Sequence, residues 1–350
     1  MKIVSFGDQF TKGIFESNTQ KTFAMIKPDC FHNAGKIISI IEESSLSILS
    51  LQLHQMTVSE AQEFYAEHKG KPFYDNLVQF ISSAAVIGLE LMGKSAVSKW
   101  RELLGPTNCF MARNESPNSI RALYGTEGVR NAAHGSDSPQ SAQREIDLFF
   151  KKFEKNVNCF ASQWTQELAK ENHCNFSSSN NQKSSKNPIT GMSNLGSMKV
   201  SSPNLPNLSC LVIKPHVMKD GMGGQVLDSV LKKCSSTGLK ITAIEMFNLN
   251  KEEVEEFLEV YKGVLPEYGL LIEEMKNGNL IAMMIQGEGN VVQSLRKICG
   301  PHDPQVAKVL RGDSLRSEFG KDKVKNGIHC TDLEDDGILE CEFFFSVMQK

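Results

Sequence analysis

Two histidines carry the strongest chemical signal in this chain. His134 lies in RNAAHGSDS (Arg130–Ser138), and His329 lies in a weaker copy, KNGIHCTDL (Lys325–Leu333). Each follows an Asn by three residues (Asn131, Asn326), and each Asn follows an Arg by ten (Arg121, Arg316). Each histidine is followed eleven residues later by a Glu (Glu145, Glu340). Imidazole can act as a base, a metal ligand or a covalent nucleophile. A metal role calls for more His or carboxylates at ligand spacing, and none is close in sequence. A nucleophilic role calls for an orienting partner on one ring nitrogen, which a Glu on the following helix can supply. Lys and Arg near such a ring would stabilise a transferring phosphoryl group by position and charge.

The elements that hold these residues are duplicated. His134 and His329 are 195 residues apart, and so are Arg101 and Arg296, Gly105 and Gly300, Arg121 and Arg316, Asn131 and Asn326, and Glu145 and Glu340. Lys27 in AMIKPD and Lys214 in LVIKPH are 187 apart, so the second copy carries about eight extra residues in its first half. A repeat of this length means two domains rather than a stack of small units. In each copy a short apolar run ends at Lys-Pro, which reads as a buried strand (Thr22–Ile26, Cys210–Ile213). Helical spacing follows at Ala34–Ile41 and Gly224–Leu231, then β-rich sequence at Leu46–Met56 and Leu239–Leu249. Acidic amphipathic helices are predicted at Ser59–His68 and Lys251–Val260, strands at Ala84–Leu91 and Leu280–Ile285, and helices at Ser95–Leu104 and Asn290–Ile298. Ser141–Phe150 closes the first copy as a helix. The pattern predicts an α+β fold, one sheet with helices packed on its face.

Composition removes several classes. A length of 350 residues with 40% hydrophobic and 23% charged content fits a globular chain of two or three domains. The net charge of −3 gives no global field for nucleic acid or anionic lipid, so a phosphate site must come from locally placed Lys and Arg. No apolar run approaches the roughly 18 residues of a membrane span, and MKIVSFGDQF lacks a secretory core. Nine cysteines without a CxxC pair fit reduced thiols. No P-loop, GxGxxG, HExxH or serine elbow occurs, and GMGGQV at Gly221–Val226 is a weak phosphate cradle.

The motifs TFAMIKPD, FYAEHKGKPF, WRELLGPTN, RNAAHGSDS and SAQREIDLFF resemble the nucleoside diphosphate kinases in order and spacing. The tandem copies resemble the two-domain, cilium- and centrosome-associated branch of that family, with a shortened N-terminus. The resemblance implies two tandem ferredoxin-like (βαββαβ) domains and a ping-pong reaction through phospho-His134. It implies a tail at 1–20, an active domain at 21–150 and a degenerate domain at 208–350; residues 151–207 between them, dense in Ser and Asn and poor in large apolar residues, read as a flexible linker. Phe160–Lys170 has helical spacing that extends the first copy. By position, the resemblance puts Lys27 and Tyr65 near the histidine and ribose, Phe73 on the base, and Arg101, Thr107 and Arg121 on the phosphates. Asn131 would bond the ribose, Glu145 would orient His134, and Ser136 would support that pair. Stacking without reading the base edge implies indifference to base identity. Mg²⁺ would arrive on the nucleotide phosphates rather than in a protein cage.

The second copy keeps Lys214, Arg296, Arg316, Asn326, His329, Thr331 and Glu340. It has Leu258 for Tyr65, His302 for Thr107, Cys330 for Gly135 and His216 for Asp29, with Tyr268 two residues from the Phe73 position. A Cβ at Cys330 is expected to displace the histidine loop, and loss of the ring to weaken nucleotide binding. This site is expected to be impaired and to serve as a partner for the first.

Taken singly, Arg101 and Arg121 read as salt-bridged surface residues and Phe73 as core. His32, His54, His68 and His173 read as surface or packing residues, and Cys30, Cys109 and Cys234 as buried small apolar positions. The competing function is a scaffold with vestigial catalysis. Resemblance supplies its partners (microtubule, axonemal or γ-tubulin-complex proteins) and its locations (cytoplasm, centrosome, spindle or cilium axoneme). The copies are expected to pack as a pseudo-dimer within a monomer, with no membrane and no specific nucleic acid as partner.

Overall fold

The computed structural model describes residues 19–153 and 207–348. Nearly all of the expected tail and linker, including Phe160–Lys170 and His173, lies outside these residues. The first half runs β1 (Thr19–Ile26), α1 (Ala34–Glu43), β2 (Ser47–His54), α2 (Val58–Phe64), α3 (Tyr74–Ser82) and β3 (Val86–Lys94). It continues through α4 (Ala96–Leu104), α5 (Cys109–Glu115), α6 (Ile120–Tyr124), β4 (Ala133–Gly135) and α7 (Pro139–Asp147). The second half repeats this with β5 (Leu208–Ile213), α8 (Pro215–Lys219), α9 (Gly223–Ser236), β6 (Lys240–Asn248), α10 (Lys251–Phe257), α11 (Tyr268–Met275) and β7 (Asn279–Gln286). Then come α12 (Val291–Cys299), α13 (Pro304–Leu310), α14 (Leu315–Phe319), β8 (Ile328–Cys330) and α15 (Asp336–Glu342). Each half is an α+β, ferredoxin-like unit. The predicted helices at Ser59–His68 and Lys251–Val260 are shorter than expected. Each starts from a capping box (Thr57 with Glu60, Asn250 with Glu253) and gives way to a tight turn, Ala66–His68 and Glu259–Tyr261.

The strands form one eight-stranded antiparallel sheet in the order β4-β1-β3-β2-β6-β7-β5-β8. The order is palindromic about β2 and β6. Gln52 and Glu245, which pair across that seam, are at equivalent positions in the two halves. The halves therefore meet about a pseudo-twofold axis. On one face α1 crosses α9 so closely that a Cβ on Gly35 would lie 2.3 Å from the Asp228 backbone N. A Cβ on Gly224 would lie 2.3 Å from the Ser39 backbone N, the mirror of the same contact. Glu42 accepts hydrogen bonds from the N–H groups of Gly223 (3.0 Å) and Gly224 (2.9 Å) at the start of α9.

Helices cover both faces of the sheet, unlike the single covered face expected. Alternation along β1 explains this. Ala24 and Ile26 join a core with Ile37, Trp100, Val226 and Leu227 that is continuous through both halves. Phe23 and Met25 point the other way, into a core private to the first half with Phe64, Tyr65, Ile146 and Phe149. The second half has its own private core around Phe257 and Phe344. β1 is buried on both sides, so its run of apolar residues need not alternate with polar ones.

Candidate active sites in the two halves

His134 is the middle residue of β4, the outermost strand, where it pairs with Met25 of β1. Ala132, just before the strand, has φ 67°, a left-handed conformation costly for Ala. The Asp29 carboxylate accepts its N–H (3.1 Å) and so holds that turn. Trp100 of α4 donates its indole N–H to the His134 carbonyl (3.1 Å), and its ring packs where any Cβ on Gly135 would fall, 2.5 Å away. Sequence and tertiary packing together thus aim the His134 ring at the private-core face, against Phe64 (5.4 Å) and Tyr65 (5.7 Å, edge-on).

His134 Nε2 lies 3.0 Å from Glu145 Oε2. Glu145 is 1% exposed, and Ser136 Oγ donates to the same oxygen (2.7 Å). Burial pushes the Glu145 carboxyl up, but the charge and hydrogen bond of His134 and the bond from Ser136 outweigh it, so its pKa is lowered. An ionised Glu145 makes Nε2 the protonated nitrogen of a neutral ring and leaves the lone pair on Nδ1. Ser136 is itself fixed, accepting from Phe23 N–H (3.2 Å).

A cavity of about 650 Å³ opens over the ring. It is lined by Lys27, Tyr65, Phe73, Arg101, Thr107, Arg121, Asn131, His134 and Glu145, so every anticipated first-half residue except the buried Ser136 borders one space. Lys27 Nζ donates to Asn131 Oδ1 (2.7 Å) and to the Val129 carbonyl (3.0 Å). Burial, with the nearby Arg121 charge, pulls its pKa down to about 7. Arg121 donates to the carbonyls of Gly105 (2.9 Å) and Ala133 (3.2 Å), and burial and Arg101 pull its pKa down to about 10. Asn131 Nδ2 reaches the Thr107 carbonyl (3.3 Å). The Tyr65 hydroxyl is buried with no hydrogen-bond partner among the described residues, and burial pushes its pKa far up. Phe73 is 44% exposed at the cavity rim rather than core.

Several lining residues escaped the sequence reading, Val129 and His68 among them. Val129 borders the cavity, and His68, read as surface or packing, stacks on Tyr65 (6.0 Å, 29°) and also borders it. A lone Val in a loop and a lone His carry no signal without the fold.

The second half rebuilds the frame. His329 pairs with Val212, and its Nε2 lies 3.0 Å from Glu340, which also accepts from Thr331 (2.8 Å). Lys214 donates to the Val324 carbonyl (2.9 Å), Arg316 to Gly300 (2.8 Å), and Asn326 to His302 (3.1 Å). A cavity of about 460 Å³ is lined by Lys214, Arg296, Arg316, Asn326 and His329, but not by Tyr268. The expected displacement at Cys330 does not occur. Leu295 and Cys299 stand where Trp100 and Leu104 do in the first half, the two side chains that a Cβ on Gly135 would meet, and both are smaller. Gly327 (φ 87°) replaces the strained Ala132, so no acid is needed at the Asp29 position. His216, which stands there, pairs instead with the buried Glu274 (2.8 Å).

Three differences change the chemistry. Arg296, the partner of Arg101, is ion-paired to Asp332. Tyr261 supplies the edge-on ring over His329 (6.2 Å, 83°) from three residues beyond Leu258, and its hydroxyl donates to Asp332 (2.8 Å). At His329, burial opposes the charged ring but the charge and hydrogen bond of Glu340 prevail, so its pKa is raised. An imidazolium has no lone pair to offer.

The family model described as nucleoside diphosphate kinase matches residues 20–155 and 207–349. The nucleoside diphosphate kinase homolog 7 of Rattus norvegicus is 39% identical over 348 residues, 99% of this chain and 76% of that protein. The protein of that name from Mus musculus matches to the same extent. The nucleoside diphosphate kinase of Haemophilus ducreyi is 43% identical over 137 residues, 39% of this chain and 97% of its own.

Proposed function

The chain belongs to the nucleoside diphosphate kinase family, and from that premise we propose that its first half transfers the γ-phosphoryl group of a nucleoside triphosphate to a nucleoside diphosphate through phospho-His134. The observation that carries this reading is the His134 ring, tethered by Glu145 at Nε2 and bordering a cavity with Lys27, Arg101 and Arg121. In the first step the Nδ1 lone pair attacks the γ-phosphorus, the P–O bond to the β-phosphate breaks, and the diphosphate leaves with that electron pair. In the second, a different diphosphate attacks the phosphohistidine and the lone pair returns to Nδ1. Positive charge growing on the ring is balanced by Glu145, which Ser136 holds in place. Lys27, Arg101, Thr107 and Arg121 hold the phosphates, Asn131 and Tyr65 the ribose side, and Phe73 the base. Mg²⁺ accompanies the nucleotide and neutralises part of its phosphate charge; the cationic end of the cleft suits a ligand arriving with its own metal.

Within the same reading the second site is impaired. Asp332 competes for Arg296, His329 is biased toward its protonated form, and Glu267, which precedes Tyr268–Met275 as Phe73 precedes Tyr74–Ser82, stands where Phe73 does. The domains correspond to 21–150 and 208–350, and the chain works as a monomer of pseudo-dimeric halves, which light scattering would report. Cytoplasmic, centrosomal or axonemal association rests on resemblance to the tandem branch. Incubation with γ-labelled ATP tests the enzyme: acid-labile label is expected on wild type and on His329→Ala but not on His134→Ala. Near-wild-type transfer by purified His134→Ala would reverse the assignment, and full cellular function of that variant would favour the scaffold.

A further inference from the structure

The second cavity shares its frame with the first but not its charge. Lys214, Arg296, Lys297, Arg311 and Arg316 line it against one lining carboxylate, Asp332, with Glu340 behind His329. In the first cavity Lys27, Arg101 and Arg121 face four carboxylates, Glu67, Glu127, Asp137 and Glu145. The two added cations, Lys297 and Arg311, stand at the positions of Glu102 and Ser116. The volume falls from about 650 to about 460 Å³, and neither Glu267, at the Phe73 position, nor Tyr268 lines the smaller cavity. The change therefore favours more negative charge in less space, without a base platform.

One internal detail points to an anion. Asp332 spans the cavity, one oxygen on Arg296 and the other on the Tyr261 hydroxyl. It acts as an internal stand-in for a ligand oxygen. Clustered cations repel one another, and a polyanion relieves that repulsion.

We propose that this cavity binds a linear oligophosphate without its nucleoside, inorganic triphosphate being the simplest case. Phosphate oxygens displace Asp332 from Arg296 and bridge to Lys297, Arg311 and Arg316. The same phosphate chain occurs free or as a nucleotide tail. The missing ring and smaller volume select the free form. The site does not depend on catalysis in the first half.

The test is calorimetric titration of the full chain with inorganic triphosphate and, in parallel, with ATP. The Lys297→Gln, Arg311→Gln double variant changes two exposed side chains, and a melting curve verifies its fold. It is expected to weaken triphosphate binding at this cavity by about tenfold or more. Asp332→Asn, which removes the internal competitor, is expected to strengthen it severalfold. Triphosphate affinity indifferent to both changes overturns the proposal. So does an ATP site that responds to both and binds at least as tightly as triphosphate, because the cavity would then take the nucleotide.

Discussion

Ser136 and Lys27 show how much rests on single side chains. Ser136 bonds Glu145 and Phe23 together, so Ser136→Ala leaves a buried carboxylate and a backbone N–H each short of a partner. We expect a loss of about 1–3 kcal/mol, read as a lower melting temperature, with weaker turnover as Glu145 loses its brace. Lys27 titrates near pH 7 because burial disfavours its ammonium. Its pKa is lower folded than unfolded, so between about 7 and the ordinary lysine value near 10.5 the unfolded chain binds more protons. Stability from this group therefore rises with pH across that window, and Lys214 acts in the same direction. Nucleotide phosphates favour the charged form, so binding at pH 8.5 should take up close to one proton, and at pH 6 almost none. Calorimetry in buffers of different ionisation enthalpy measures this, and equal uptake at both pH values would show that Lys27 is an ordinary ammonium. These residues were legible in the sequence because polar types at fixed intervals stand out twice. Val129, His68 and Tyr261 were not, since only folding brings them to Lys27, Tyr65 and His329.

At the level of elements, each half holds its histidine strand with one helix, α4 or α12. Trp100 and Leu104 over Gly135, and Leu295 and Cys299 at the same positions of the second half, are two solutions to the same packing problem. Gly135→Cys alone should cost about 1–3 kcal/mol through overpacking, and Trp100→Leu alone should open a cavity. Together they should cost clearly less than the two single losses added, as urea unfolding of the four proteins would measure. Strict additivity would mean that the two positions do not share one space. Three strands in each half were readable from their apolar runs, whereas β4 and β8, three residues long, were not. Helices α3 and α11 went unrecognised because their apolar residues run almost directly into the next strand, and periodicity cannot divide a continuous stretch. The coverage of both sheet faces was hidden for a related reason: a strand buried on two sides has no polar alternation to reveal it.

Across the whole molecule, the shared core and the Gly35–Gly224 crossing make the halves one packing unit. The seam is self-complementary, so the first half expressed alone (residues 19–153) exposes a face that fits a second copy of itself. It is expected to dimerise, with light scattering showing a mass that doubles with concentration. A monomer at all concentrations would mean that the seam is specific to unlike halves. Gly224→Leu in the full chain should be severely destabilising, since the clash is with backbone. The palindromic strand order also sets the two imidazoles on the outermost strands, seven inter-strand steps or about 34 Å apart. No covalently held phosphate can be handed across that span. On the proposed function each ring would discharge to a diphosphate held in its own cleft, so the tandem is a counterbalanced pair rather than a relay, and chemistry lost at one end leaves the other supported.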